Sequence, residues 1–279
     1  MSLATLDEVL IPARAGKYAV GAYDFTDMEM LYGILDAAEQ TRTPVILQYP
    51  DAPELMENIY EFGPMMVAAA KKASVPVVVH LDHGKSFESC KKCADVGFTG
   101  IMIDASVKPY AENVAIVKEV VDYCKPLGIP VEGEIGHVGQ GDEYDPQNYF
   151  YTDPEQAAQF VKETGISAVA VAIGNAHGAY KSEPKINYEV LSKIEELISI
   201  PLVLHGGSGI SDADFKKIIK HGVAKVNIFT ELTQEAAAEL QAIPHDQLNL
   251  FNATAAIRTG FRKRTLEKIE LFETKPISE

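Results

Sequence analysis

The chain has no tryptophan and only three cysteines in 279 residues. Three is too few and too odd a number for a disulfide framework. Cys90 and Cys93 form a CxxC, but it lies inside SFESCKKCADVG, which reads as helix, and no second CxxC completes a zinc site. They are expected to be helix-face cysteines. Basic residues are also scarce, 25 against 40 acidic ones, for a net charge of −15. That balance repels nucleic-acid phosphates and anionic membranes, so neither is expected as a partner, and any bound phosphate needs a local site. No window approaches the ~18 apolar residues of a membrane span. The start, MSLATLDEVLIPARAGK, has no apolar signal-peptide core, and a cytoplasmic protein is expected. Linkers, repeats and low-complexity tracts are missing too, which favours one domain over residues 1–279.

What is present fits a globular enzyme: 47% apolar and 23% charged residues, enough for a sizeable core. Eight short β-branched runs, at 18–23, 44–49, 75–80, 100–104, 130–135, 168–173, 201–205 and 224–229, alternate with amphipathic segments. Helices are expected at Asp27–Gln40, Leu55–Ala73, Phe87–Ala94, Ala111–Tyr123, Pro154–Thr164, Tyr188–Leu197, Asp212–His221 and from Leu232 onward. Thr26, Ser86 and Asp153 read as helix caps, with Pro154 suited to a first turn. The alternation predicts βα units around a parallel sheet, and eight of them predict a single (β/α)8 TIM barrel. A doubly wound sheet of about six strands is the competing fold.

The polar residues gather at one end of these strands, where barrel active sites lie. Strand by strand they are Asp24, Asp51, Asp82 with His83, Asp104, Glu134, Asn175 with His177, His205, and Asn227 with Thr230. A lone histidine is more often a satisfied core residue than a ligand. Three at strand ends, His83, His177 and His205, with carboxylates nearby, suit Zn²⁺ and leave a position for substrate. His137, His221 and His245 read as solvated or structural, whereas His80 shares a strand face with Asp82 by the period of two. HGGSG (205–209) and NIFTE (227–231) follow the seventh and eighth strands, where barrels commonly bind phosphate. A GGSG taken alone is more often a tight turn. The long polar segment 136–154 reads as a functional loop or a flexible surface one.

Taken in order, YAVGAYDF, VVVHLDHG, GFTGIMIDAS, VEGEIG, AIGNAHGAYK, PLVLHGGSGI and AKVNIFTEL resemble the class II, zinc-dependent fructose-bisphosphate and tagatose-bisphosphate aldolases over nearly the whole chain. The resemblance implies an aldehyde-lyase of carbohydrate metabolism that cleaves a ketose 1,6-bisphosphate or related ketose phosphate to dihydroxyacetone phosphate and an aldehyde. It implies that His83, His177 and His205 bind the zinc that stabilises the enediolate, and that Asp82 is the acid/base at the C4 hydroxyl. Asp104 and Glu134 fit the family's carboxylates near the metal, as a second metal position or as orienting groups. Gly178, Lys181, Gly206, Gly207, Ser208, Asn227 and Thr230 fit the dihydroxyacetone-phosphate subsite, with a monovalent cation (Na⁺ or K⁺) beside the phosphate. Glu143 is the candidate for enediolate proton exchange, with Asp142 as its neighbour. A homodimer or homotetramer is implied as well.

Three positions depart from the family's pattern: Asp24 stands where Asn is usual, Pro50 where Ser is usual, and Phe229 brings bulk into the NxxT segment. They cluster where the aldehyde half of the substrate would lie, and a carboxylate at Asp24 weakens the case for a second phosphate. Two rival readings are a divalent-metal sugar-phosphate isomerase or epimerase and a noncatalytic barrel subunit.

Overall fold

A computed structural model describes residues 2–142, 145, 149–178 and 180–277. Eight parallel strands, β1 (Val20–Asp24), β2 (Val45–Pro50), β3 (Val77–Gly84), β4 (Gly100–Ile103), β5 (Val131–Ile135), β6 (Ala168–Val171), β7 (Leu202–Leu204) and β8 (Val223–Ile228), pair in chain order. The ring closes where β8 pairs with β1, Ala22 opposite Asn227, which rules out the doubly wound alternative. These strands are Val-, Ile- and Ala-rich and buried on both faces, because helices cover the outside and side chains fill the inside.

The outer layer comprises α2 (Met28–Thr41), α4 (Ile59–Lys72), α5 (Phe87–Asp95), α6 (Tyr110–Cys124), α7 (Pro154–Thr164), α8 (Tyr188–Leu197), α9 (Asp212–Lys220), α10 (Thr230–Gln241) and α11 (Leu250–Leu271), with a short α3 (Pro53–Met56) before α4. Asp27, Ser86, Asp153, Asn187 and Ser211 each accept a backbone N–H from the first turn of their helix. The cap of α2 is thus Asp27, one residue after the expected Thr26. The expected helix 55–73 divides at Asn58 into α3 and α4. Cys90, Cys93 and Cys124 are buried free thiols, as the helix-face reading of the CxxC requires.

The sequence reading assigned no element to the segment that forms α1 (Leu6–Gly16), which opens with a capping box between Thr5 and Glu8. Its Leu6, Val9, Leu10 and Ala13 close the N-terminal end of the barrel against inward-facing Val20, Ile46, Val78 and Val203. Apolar residues thereby fill the lower barrel, and the polar ones are left to the C-terminal mouth.

Candidate active site

A local break in β3 builds the centre of the mouth. Consecutive strand residues face opposite sides of a sheet, so Asp82 and His83 could not both enter the barrel from a regular strand. The register with β4 shifts between Leu81 and Gly84, and His83 takes the left-handed conformation at φ 47°. This bulge turns the imidazole back toward the mouth, at some cost in backbone strain. Gly84 is required just after it, since a Cβ there would lie 2.4 Å from the Met102 carbonyl oxygen.

His83 meets His177 and His205 at single nitrogens. His83 Nε2 lies 3.0 Å from His177 Nε2 and 2.9 Å from His205 Nδ1. The far nitrogen of each ring faces an acceptor: Asp104 at 2.8 Å from His83 Nδ1, the Val138 carbonyl at 3.2 Å from His177 Nδ1, and Glu132 at 2.8 Å from His205 Nε2. Those partners hold the ring hydrogens, so three lone pairs converge where positive charge must lie between them. A divalent cation such as zinc fits this donor set.

The titration of the cluster reflects the same demand. Burial, then the charge of His83, pushes His177 down to about 4 and His205 well below the usual imidazole range. Burial also opposes charge on His83, but Asp82, Asp104 and Glu134 outweigh it and lift that ring to about 10. The cluster therefore holds one proton beyond the three ring hydrogens, the single positive charge that the converging nitrogens demand. Asp104 is depressed because the His83 bond and charge overcome its burial. Glu134 rises to about 8 through burial and then the charge of Asp104. One Glu134 oxygen accepts the Val138 N–H at 2.9 Å, and the other is buried without a partner, within reach of a cation shared with His83 and Asp104.

Asp82 lies beside this cluster, one carboxylate oxygen 3.9 Å from His83 Nε2 and the other accepting the Asn227 amide at 3.1 Å. The same Asn227 amide lies 3.1 Å from His205 Nδ1. The side chain of Asn227 thus sits between the aspartate and the imidazoles. Glu132, Lys225 and His80 form a fully buried layer beneath. Glu132 accepts from Lys225 at 2.8 Å, and His80 Nε2 lies 3.5 Å from the same carboxylate oxygen.

The loops after β6, β7 and β8 enclose a cleft of about 470 Å³ whose lining includes Gly178, Lys181, Ser208 and Thr230. Tyr180 ties two of these loops, accepting the Ala176 N–H at 2.7 Å and donating to the Gly206 carbonyl at 2.9 Å. Gly206 has φ 63°, and a Cβ on it would lie 2.0 Å from the Ala176 carbonyl oxygen, so the approach admits glycine alone. Gly207 is also tightly set, its N–H donated to the Asn227 carbonyl at 3.1 Å. Of the long loop, Gly139 and Gly141 bond to the His177 backbone, while Glu143 lies outside the described residues.

Residues 4–276 match the model of the family described as fructose-bisphosphate aldolase class-II. The chain belongs to this family. Over 281 residues it is 37% identical to a fructose-bisphosphate aldolase of Staphylococcus aureus, covering 98% of each chain. It is 45% identical over 258 residues to the uncharacterized protein YdjI of Escherichia coli K12, covering 91% of this chain and 92% of that one. The crystal structure of that protein, described as the YdjI aldolase, superposes with a TM-score of 0.88 at 42% identity over 98% of both chains. A putative fructose-1,6-bisphosphate aldolase of Coccidioides immitis gives a TM-score of 0.86 at 30% identity over 95% of both.

This class II aldolase is therefore an aldehyde-lyase of the retro-aldol type, and the isomerase and noncatalytic readings fall away. Its family is generally zinc-dependent and acts on sugar phosphates. No described helix is long and apolar enough to cross a membrane. The residues that sequence reasoning left out of the aldolase site are Glu132 and Lys225. Each precedes a residue that it did single out, Glu134 or Asn227, by two positions on the same inward face, and that period was the available signal.

Proposed function

We propose that this aldolase cleaves the C3–C4 bond of a ketose phosphate to dihydroxyacetone phosphate and an aldehyde, with His83, His177 and His205 holding Zn²⁺ and Asp82 as the acid/base. The convergence of three imidazole lone pairs next to the Asp82 carboxylate is the observation that carries this reading. When bound, the metal supplies Lewis-acid stabilisation for the negative charge that cleavage leaves on the ketose oxygens.

The chain's own residues supply the rest. Asp82 takes the C4 hydroxyl proton as the C3–C4 bond breaks, and Asn227 holds that carboxylate in position by its amide. Asp104 and Glu132 fix the tautomers of His83 and His205. Glu134 orients the site or offers its free oxygen to a second metal position. The cleft lined by Gly178, Lys181, Ser208 and Thr230 receives the phosphate, with Gly206 and Gly207 shaping the loop that leads into Ser208, Lys181 as its cation and Na⁺ or K⁺ beside it. Glu143, or Asp142 beside it, returns a proton to the enediolate carbon. Lys225 is held by Glu132 beneath the site and is assigned no imine chemistry. A homodimer or homotetramer and a cytoplasmic setting complete the proposal.

The test is product analysis after chelation. Chelator should abolish release of dihydroxyacetone phosphate, Zn²⁺ should restore it, and borohydride with substrate should leave activity intact. Inactivation by borohydride would indicate a lysine imine and defeat the reading.

A further inference from the structure

Asp24 is a buried carboxylate at the mouth, 9% exposed, to which the aldol chemistry assigns no role. It ends β1 and stands opposite Gln48 of β2 in the barrel register, and the Gln48 amide donates to it at 3.2 Å. The remaining Gln48 oxygen is fully buried and has no partner. A polar pair is thus held at the mouth with unused acceptor capacity, which a core built for stability alone would not leave. Its neighbours are unsuited to a phosphate. Pro50, opposite Asp82 in the register, has no hydroxyl or N–H to offer, and Phe229, one residue beyond β8 on the other flank of β1, is apolar and 36% exposed. No Lys or Arg forms an ion pair with Asp24 or Asp82 among the described residues.

The phosphate cleft is built by the loops after β6, β7 and β8, and Asp82, which acts at C4, is on β3. A ketose lying between them directs its atoms beyond C4 toward β1 and β2. We propose that Asp24, braced by Gln48, reads that aldehyde half by accepting a hydroxyl hydrogen bond, so that the substrate is a ketose 1-phosphate with an uncharged, hydroxylated tail rather than a 1,6-bisphosphate. This rests on the aldolase reading above. A second phosphate would meet two carboxyl groups, Asp24 and Asp82, flanked by Pro50 and Phe229 and without a Lys or Arg ion pair among the described residues. A sugar hydroxyl instead satisfies the open acceptors, and sites built to bond a hydroxyl discriminate strongly.

The experiment compares fructose 1-phosphate with fructose 1,6-bisphosphate as probes of zinc-loaded wild type and Asp24→Asn, with metal content and thermal melting recorded for both proteins. Wild type should favour the 1-phosphate in kcat/KM by about tenfold or more, and Asp24→Asn should lower that ratio by about tenfold, chiefly through a better KM for the bisphosphate. A wild-type preference for the bisphosphate overturns the inference, even if the variant fails to fold. So does a ratio that Asp24→Asn leaves unchanged while metal content and melting match wild type; either result leaves the aldolase reading intact. Cleavage of neither ketose by the zinc-loaded wild type would instead strike at the aldolase reading itself.

Discussion

The layer beneath the histidines gives the sharpest energetic prediction. Glu132 and Lys225 are both fully buried, with Lys225 Nζ 2.8 Å from one Glu132 oxygen while the other accepts from His205 at 2.8 Å. Glu132→Gln removes the counter-charge and leaves an ammonium in the barrel interior, a change that typically costs about 3–5 kcal/mol. At roughly 2–4 °C per kcal/mol for a chain of this size, melting should fall by on the order of 10 °C. Replacing both partners by uncharged residues of similar volume often costs little. Glu132→Gln/Lys225→Met should therefore recover most of the loss. The carboxylate also orients His205, so Glu132→Gln should weaken metal binding by about 10–100-fold, and the double variant should not restore it. Guanidinium denaturation of the metal-free proteins at one protein concentration reads the first effect, and competition against a chromophoric chelator the second. A double variant as unstable as the sum of the two singles would falsify the charge-compensation argument.

Other outcomes follow from the same geometry. His205→Ala should lose bound zinc, whereas Asp82→Asn should retain it and lose about 10²–10⁴ in kcat, as removal of a general acid/base does; equal metal loss in both variants would merge the two roles. Gly206→Ala should destabilise the protein and impair phosphate binding, since a Cβ would strike the Ala176 carbonyl; wild-type KM and melting would show that the loop tie does not matter. Burial lifts Cys124 to about 11 from the ordinary 9.0, so the native protein keeps a proton that the unfolded chain releases. That contribution is fully present below about pH 9 and is lost as pH rises toward about 11. Cys124→Ala should flatten this part of the stability profile in denaturation curves, and an unchanged slope would count against it.

The barrel was legible because its signal is repetitive: eight β-branched runs separated by amphipathic segments allow few topologies other than a closed parallel ring. The polar residues at strand ends, from Asp24 to Thr230, were legible for the same reason, since chain direction alone decides which end of a parallel strand is the mouth. Helix α1 escaped because Pro12 and a short apolar pattern resemble an irregular lead-in, and its purpose, closing the barrel floor, is a long-range contact.

The linear sequence therefore determined the fold, the chemistry-bearing residue types and their common end of the barrel, all of which are properties of local pattern. Tertiary structure decided what those residues do to one another. The bulge at His83 brings Asp82 and His83 to the same side against the strand period, and Glu132 with Lys225 becomes a charged support only when β5 and β8 face each other across the interior. Asn227 turns out to be a partner of Asp82 because the closed ring sets β8 across the mouth from β3, and Asp24 one of Gln48 because β1 pairs with β2. Such juxtapositions depend on register and closure, which a period of two along one strand cannot encode.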